Sequence, residues 1–271
     1  MLNTIRRAGS VLTLFTEERP DWGVREVAAE LGMPRSNAHE LMSSLATIGL
    51  LQRTPDARYR LGWRLLTLSG HLVNSTDVAR IGSSVLTQLA SQHRQTVSIA
   101  TLDTDQIVSI GQAEPPGSAP VSRVGDRLPA HSTAAGKILL ARLGMDPGDN
   151  LKRLTRNTVT DPELLRRQLA MIRRGQIAFD RRETDEAVCC VASPIRDLQT
   201  GTVVAAVSLC AAHAVFDQHK EVYTRSIADA ARRISHLISP DGRDTAPDTA
   251  RSAHVTQVIS GHPARPDSAS A

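Results

Sequence analysis

The sequence predicts a two-domain protein of the α/β (α+β) class, on three observations. The first 61 residues read as helix, helix, turn, helix and hairpin. From residue 96 the hydrophobic period changes from the three-and-four spacing of helices to the alternation of strands. The length of 271 residues exceeds one small domain and suits two, at roughly 100–200 residues each.

The elements follow in order. Ile5, Ala8, Leu12 and Phe15 give a helix over 2–16, which Pro20 and Gly23 end. Val24, Val27, Ala28 and Leu31 mark a second, short helix, and Gly32 supplies a turn. Pro34 suits the first position of a third helix, where its missing N–H is not needed. That helix is expected to turn Ala38, Leu41, Leu45 and Ile48 inward and to end at Gly49. Leu50–Arg53 and Arg58–Leu61 form a hairpin around Pro55. A linker helix is expected over 63–74 and a long helix from Asp77 to about Gln92. Strands are expected at 96–102, 106–113 and 121–124, then helices at 133–143 and 162–175. Strands 187–196 and 202–210 flank the turn Asp197–Gly201, and a last helix covers 218–237. The expected domains are 1–62, a linker at 63–76, and 77–239. A tail over 240–271, rich in Pro, Ser, Asp and Ala, is expected to be disordered.

Composition narrows the classes. Hydrophobic residues make up 41% and charged residues 22%, ordinary for a soluble domain. Aromatics are only 3%, so Leu, Val, Ile and Ala must build the core. Net charge is +4, and Lys137, Lys152 and Lys220 are the only lysines, so the cations are overwhelmingly arginine. Arginine pairs bidentately with phosphates and guanine edges, although genome base composition also produces such a bias. Cys189, Cys190 and Cys210 are odd in number and two are adjacent, which does not make a disulfide framework and points to a reducing compartment. No stretch approaches the ~20 apolar residues of a membrane span, and the chain is expected to be cytoplasmic.

The segment from Val24 to Leu61 carries the first functional signal. In a helix-turn-helix the second helix lies in the major groove, with its N-terminal residues at base edges. Here Arg35, Ser36, Asn37, His39 and Ser43 fall outside the apolar set of that helix. Arg and Asn read guanine and adenine by paired hydrogen bonds. The hairpin adds Arg53, Arg58 and Arg60, as a wing reaching a DNA backbone or minor groove would. Glu40 reads as a solvated charge.

These residues resemble the IclR family of bacterial transcriptional regulators. Val24 to His39 looks like its helix-turn-helix, and Leu50 to Gly62 like its wing. Leu128-Pro-Ala-His-Ser-Thr-Ala-Ala-Gly-Lys137-Ile-Leu-Leu-Ala141 and Asp180 to Ile195 resemble two segments of its second domain. The resemblance spans about residues 3–238. It implies a winged helix-turn-helix, a linker helix and a GAF-like effector domain with an antiparallel sheet. It also implies a homodimer or homotetramer that binds operator DNA under control of a small metabolite, a carboxylate or similar polar compound, with no cofactor and no catalysis. Carried over by position, the effector site would comprise Ala134, Ala135, Asp180, Cys190, Ser208 and Cys210. Cys210 stands where some relatives carry serine, and a thiol donates hydrogen bonds weakly.

The residues support such a site on their own terms. Free N–H groups at the start of helix 133–143 attract an anion. Strand alternation puts Ser208 and Cys210 on one face. Asp180 would face a ligand donor or shape its loop. Three other readings fail or rank lower. A phosphate loop needs Gly at His131 and Ser or Thr at Ile138. Zinc needs a cysteine spacing that is absent, since adjacent cysteines point to opposite faces of a strand. A hydrolase using Cys190 and His131 lacks any local motif, and His131 reads as a loop anchor.

Overall fold

The computed structural model describes residues 2–115, 117, 123–175 and 177–239. The tail from 240 and most of the strand expected at 121–124 lie outside them; Arg123 and Val124 are in a loop. The chain divides into two compact units, Met1–Ser75 and Thr76–Ala271.

The first unit runs α1 (Asn3–Leu12), α2 (Val24–Glu30), α3 (Arg35–Thr47), β1 (Leu51–Arg53), β2 (Tyr59–Leu61) and α4 (Arg64–Ser75). Gly32, at φ +59°, makes the tight turn between α2 and α3, and Met33 N–H closes it on Ala28 O. The core gathers Val11, Phe15, Trp22, Val27, Ala38, Met42, Leu45, Leu51 and Tyr59. The inward set of α3 thus differs from expectation. Met42 is buried, Leu41 is half-buried and Ile48 is exposed. Ile48 is the C-cap, where the helical period no longer governs direction. The segment before α2 was expected only to break the chain. Trp22 instead exchanges backbone hydrogen bonds with Tyr59 at 2.8 and 2.9 Å, adding a one-residue bridge to the hairpin. Leu2, Ile5, Trp63, Leu66, Leu68 and Leu72 on and beside α1 and α4 remain exposed.

The second unit runs α5 (Asp77–His93), β3 (Thr96–Asp103), β4 (Gln106–Ala113), β5 (Arg127–Pro129), α6 (Ala134–Leu143), α7 (Pro162–Gly175), β6 (Ala178–Arg181), β7 (Val188–Arg196), β8 (Val203–Ala212) and α8 (His213–Ile238). The strands form one antiparallel sheet in the order β5-β4-β3-β8-β7-β6. Alternation sends Val97, Ile99, Val191, Ile195, Val207 and Leu209 to one face, where α5 and α8 pack. The other face carries Ala100, Ala192 and Ala206, and α6 and α7 cover it. No helix among the described residues is long and apolar enough to cross a membrane.

The approach of α6 is set by Gly136. A Cβ there would run into the carbonyl oxygen and Cα of Ala130, so only glycine lets the helix turn back so tightly on its own entry loop. Two strands were not foreseen: β5 and β6 are three and four residues long, too short for alternation to register.

Candidate nucleic-acid interface and ligand site

On the first unit, Arg35, Ser36, Asn37, His39 and Ser43 are all exposed along α3. Pro34 takes the N-cap and Arg35 opens the helix, which thus starts one residue later than expected. The first turn of α3 therefore presents a guanidinium, a hydroxyl and an amide side by side. In the hairpin, Arg53 is exposed and makes no ion pair among the described residues. Arg58 and Arg60 are engaged. Arg58 pairs with Glu26 at 2.6 Å and donates to Asp21 O at 2.9 Å. Arg60 holds both carboxylate oxygens of Asp21, at 3.0 and 3.1 Å. Glu26 also accepts the Gly23 N–H at 2.8 Å, which starts α2, and meets Arg19 at 3.4 Å. These donors hold its carboxyl below the usual range, the Gly23 amide most of all. Arg58 and Arg60 thereby tie the hairpin to the start of α2.

On the second unit, strand register assembles two rows on the face under α6. Asp180, Cys190, Cys210 and Thr96 lie opposite one another across β6, β7, β8 and β3. Two residues along, Ala178, Ala192, Ser208, Ser98 and Gln112 form the parallel row, which reaches β4. The Ser98 and Ser208 hydroxyls lie 3.0 Å apart. Ser109, on the same face beside Ala100, has a buried hydroxyl with no hydrogen-bond partner among the described residues.

α6 packs on β3, β6, β7 and β8, and Ala134 and Ala135 in its first turn share a buried cluster with Ala178, Ala192 and Ala206. Thr133 caps the helix by accepting Gly136 N–H at 3.1 Å. Among the described residues no acceptor meets the amides of Ala134 and Ala135, both buried. Free first-turn amides and the helix dipole favour an anionic or carbonyl oxygen there. His131 anchors the entry loop through its Nε2 and the Lys152 carbonyl, 2.9 Å apart. Lys137, one turn in, is buried and bonded to Glu183 and to the Phe179 carbonyl. Glu183 Oε2 has no hydrogen-bond partner among the described residues.

Asp180 shapes its loop. Its Oδ1 accepts the Glu183 N–H at 2.7 Å and the Thr184 N–H at 3.4 Å. Arg182 at the bend takes φ +63°, a conformation that these bonds support. Burial pushes the Asp180 carboxyl up to about 6; bonds from Thr184 and the Glu183 amide offset part of this, and the Glu183 charge adds to it.

The expectation for the cysteines needs correction. Cys190 and Cys210 are joined by a disulfide across β7 and β8, with Cα atoms 4.1 Å apart. The odd, adjacent pattern concealed this because Cys189 and Cys190 face opposite sides of β7, so the partner of Cys190 comes from the neighbouring strand. Cys210 therefore offers no thiol hydrogen in this state. Cys190 is bonded to Cys210 and His131 to the Lys152 carbonyl, so neither is placed as half of a nucleophile–base pair. Cys189 is buried on the α8 side, 3.7 Å from His213 Nδ1, and burial raises its thiol pKa. Sequence reasoning missed Thr96, Ser98, Ser109 and Gln112. Alternation of polar residues in Thr96-Val-Ser98 was the available signal.

Asp180 makes a pH prediction. Its folded pKa of about 6 lies above the ordinary 3.8, so the folded chain holds this proton more tightly. The resulting stability is present at low pH and lost as pH rises towards about 6. Its span is on the order of 3 kcal/mol. Asp180→Asn keeps the loop acceptor and removes the charge. Urea midpoints should then depend less on pH across this window, with the variant the more stable at neutral pH. Parallel curves for both proteins would show that Asp180 does not titrate there.

Comparison with known proteins agrees with this architecture. Residues 70–236 match the family model for the bacterial transcriptional regulator IclR C-terminal domain, and residues 4–55 match the IclR helix-turn-helix domain. The HTH-type transcriptional regulator XynR of Escherichia coli is 31% identical over 217 residues, covering 77% of this chain and 86% of XynR. The p-hydroxybenzoate hydroxylase transcriptional activator of Acinetobacter baylyi is 28% identical, covering 72% of this chain and 76% of its own. Among solved structures, an IclR homolog from Microbacterium hydrocarbonoxydans complexed with 4-hydroxybenzoate superposes with a TM-score of 0.76 at 25% identity. It covers 87% of this chain and 99% of its own. The Thermotoga maritima IclR gives 0.64 at 28%, with coverage of 87% and 100%. With both family models placed on its two units, the chain belongs to the IclR family and is a DNA-binding transcriptional regulator.

Proposed function

We propose that this regulator reads its operator with the first turn of α3 and is controlled by a small carboxylate bound between α6 and the β7–β8–β3 rows. The effector reading is supported by the unmet Ala134 and Ala135 amides on a helix that packs on the sheet face bearing the Ser98–Ser208 hydroxyl pair. A largely apolar wall with a few convergent polar groups suits a small metabolite. Ala192 and Ala206 supply that wall. Two relatives narrow the chemistry, one holding 4-hydroxybenzoate and one named for p-hydroxybenzoate hydroxylase. A ring carboxylate with a hydroxyl is therefore the first probe. Its carboxylate would meet the α6 amides and its hydroxyl the serine row.

On DNA, Arg35 and Asn37 read base edges, while Ser36, His39 and Ser43 approach the backbone. Arg53 contacts phosphate. Arg58 and Arg60 serve the interface by holding the wing in place. The protein acts in the cytoplasm, where its DNA is, and acts as a homodimer or homotetramer. Exposed Leu2 and Ile5 near α1, with Trp63, Leu66 and Leu72 along α4, give the apolar surface for self-association.

Three measurements follow. Replacing Arg35 or Asn37 with Ala should weaken operator binding by about 1–3 kcal/mol per lost base contact and leave random DNA nearly unaffected. Arg53→Ala should weaken both DNAs alike and flatten the salt dependence. Equal losses on both DNAs for Arg35→Ala would remove that residue from base reading. In calorimetric titration with 4-hydroxybenzoate, Ser208→Ala should lose about 0.5–1.5 kcal/mol, roughly two- to tenfold in affinity. Unchanged affinity would place the site elsewhere. Sedimentation of the full chain should give a dimer or larger, and Leu66→Glu should shift it toward monomer; a wild-type monomer at micromolar concentration would end the oligomer reading.

A further inference from the structure

The Cys190–Cys210 disulfide closes a short loop, where a structural staple contributes less than it would across a long one. It joins directly opposite residues of β7 and β8, which already pair in unbroken register from Val188–Ala212 to Ile195–Ala205. A cross-link stabilises mainly by closing a loop that the unfolded chain leaves open, and its effect grows with the length of that loop. Only 20 residues separate these cysteines, on two strands joined by one short turn. Nor does a domain with two layers of buried Leu, Val, Ile and Ala need a covalent clamp.

Its position is informative. The two sulfur-bearing residues are half-buried, unlike Cys189, and they occupy the row between Asp180 and Thr96. The Ser98–Ser208 pair is in the adjacent row. The bond therefore lies on the sheet face that α6 covers, and both of its residues keep part of their surface exposed. A protein that acts on chromosomal DNA meets a thiol pool that reduces accessible disulfides, so a bond at such a place is one that opens and closes.

We propose that Cys190 and Cys210 form a reversible thiol–disulfide couple on the floor of the effector site, closed by hydrogen peroxide and opened by small thiols. The couple thereby adds a redox input to the regulator. On closing, one thiolate attacks peroxide, giving a sulfenic acid and hydroxide. The neighbouring thiol then displaces that oxygen as water and forms the S–S bond. On opening, two small thiols deliver two electrons and two protons; the couple returns to two thiols and the donors become a disulfide. Cys189 takes no part, because it is buried on the opposite face of β7. Opening adds two weak hydrogen-bond donors to the row and frees both side chains to rotate. The part of the proposal that concerns effector affinity rests on the placement of the site given above.

Alkylation tests the couple without reference to any effector. The folded full-length protein is treated with millimolar reduced glutathione, or with stoichiometric peroxide, then with iodoacetamide, and mapped by mass spectrometry. Cys190 and Cys210 should carry adducts after glutathione and none after peroxide, while Cys189 stays unmodified in both. Adducts on both after peroxide, or a bond that glutathione leaves closed in the folded protein, would overturn the couple. The redox input is read separately, as affinity for 4-hydroxybenzoate and for the gene's own upstream DNA in the two states. At least one of these should change severalfold in the wild type and in Cys189→Ala, and neither should change in Cys210→Ser. A couple that cycles while both affinities stay constant would overturn the redox input and leave the site to be judged by Ser208→Ala alone.

Discussion

The antiparallel register of β8 between β7 and β3 is the constraint on which the second unit depends. Because side chains alternate, one register decides the content of both faces. It delivers Val207 and Leu209, with Val97, Ile99 and Val191, to the core under α5 and α8. The same register delivers Ser208 and Cys210, opposite Ser98 and Thr96, to the other face. A slip by one residue would place hydroxyls in the large core and branched aliphatics beneath α6. Stability and site are thus specified by one pairing, and the large apolar face defends the small polar one.

The first unit depends in a similar way on Glu26. One carboxylate starts α2 through the Gly23 amide, anchors the hairpin through Arg58 and meets Arg19, whose guanidinium lies over the Trp22 ring at 3.4 Å. Trp22 in turn bridges to Tyr59. The pose of the wing relative to α2 therefore comes from charge-assisted hydrogen bonds at partly exposed groups. Surface pairs of this kind are individually weak, and here they act through several shared partners. Replacing Arg58 would accordingly first cost the hairpin its anchorage on α2.

Much of this was legible in the sequence. Long periodic elements such as α5 and α7, the hairpin of β7 and β8, and the turn before α3 follow from spacing and turn chemistry. The order of elements, with its matching motifs, was enough to identify the family. Three things were not legible. Strands as short as β6 carry no period, so the partner row of Asp180 was invisible. The register linking β3 to β8 joins residues about 110 positions apart, as in Ser98 and Ser208, and no local signal encodes it. The disulfide depends on that same kind of lateral pairing, and counting cysteines pointed away from it. The buried partnership of Lys137 with Glu183 was hidden likewise, since a lysine beside a glycine reads first as a phosphate contact.

Gly136 carries a consequence for how such a regulator changes its specificity. At Gly136 the start of α6 meets the backbone of Ala130 and the capping hydroxyl of Thr133. The turn of this roof helix onto its own entry loop is therefore set largely by main-chain atoms, which substitutions at surrounding positions do not alter. What remains adjustable is the furniture beneath it: the small residues at 96, 98, 190, 192, 208 and 210. Exchange among alanine, serine, threonine and cysteine there alters polarity and shape by an atom or two without disturbing the frame. New ligand preferences are then reachable by single conservative steps, each leaving a folded protein behind it.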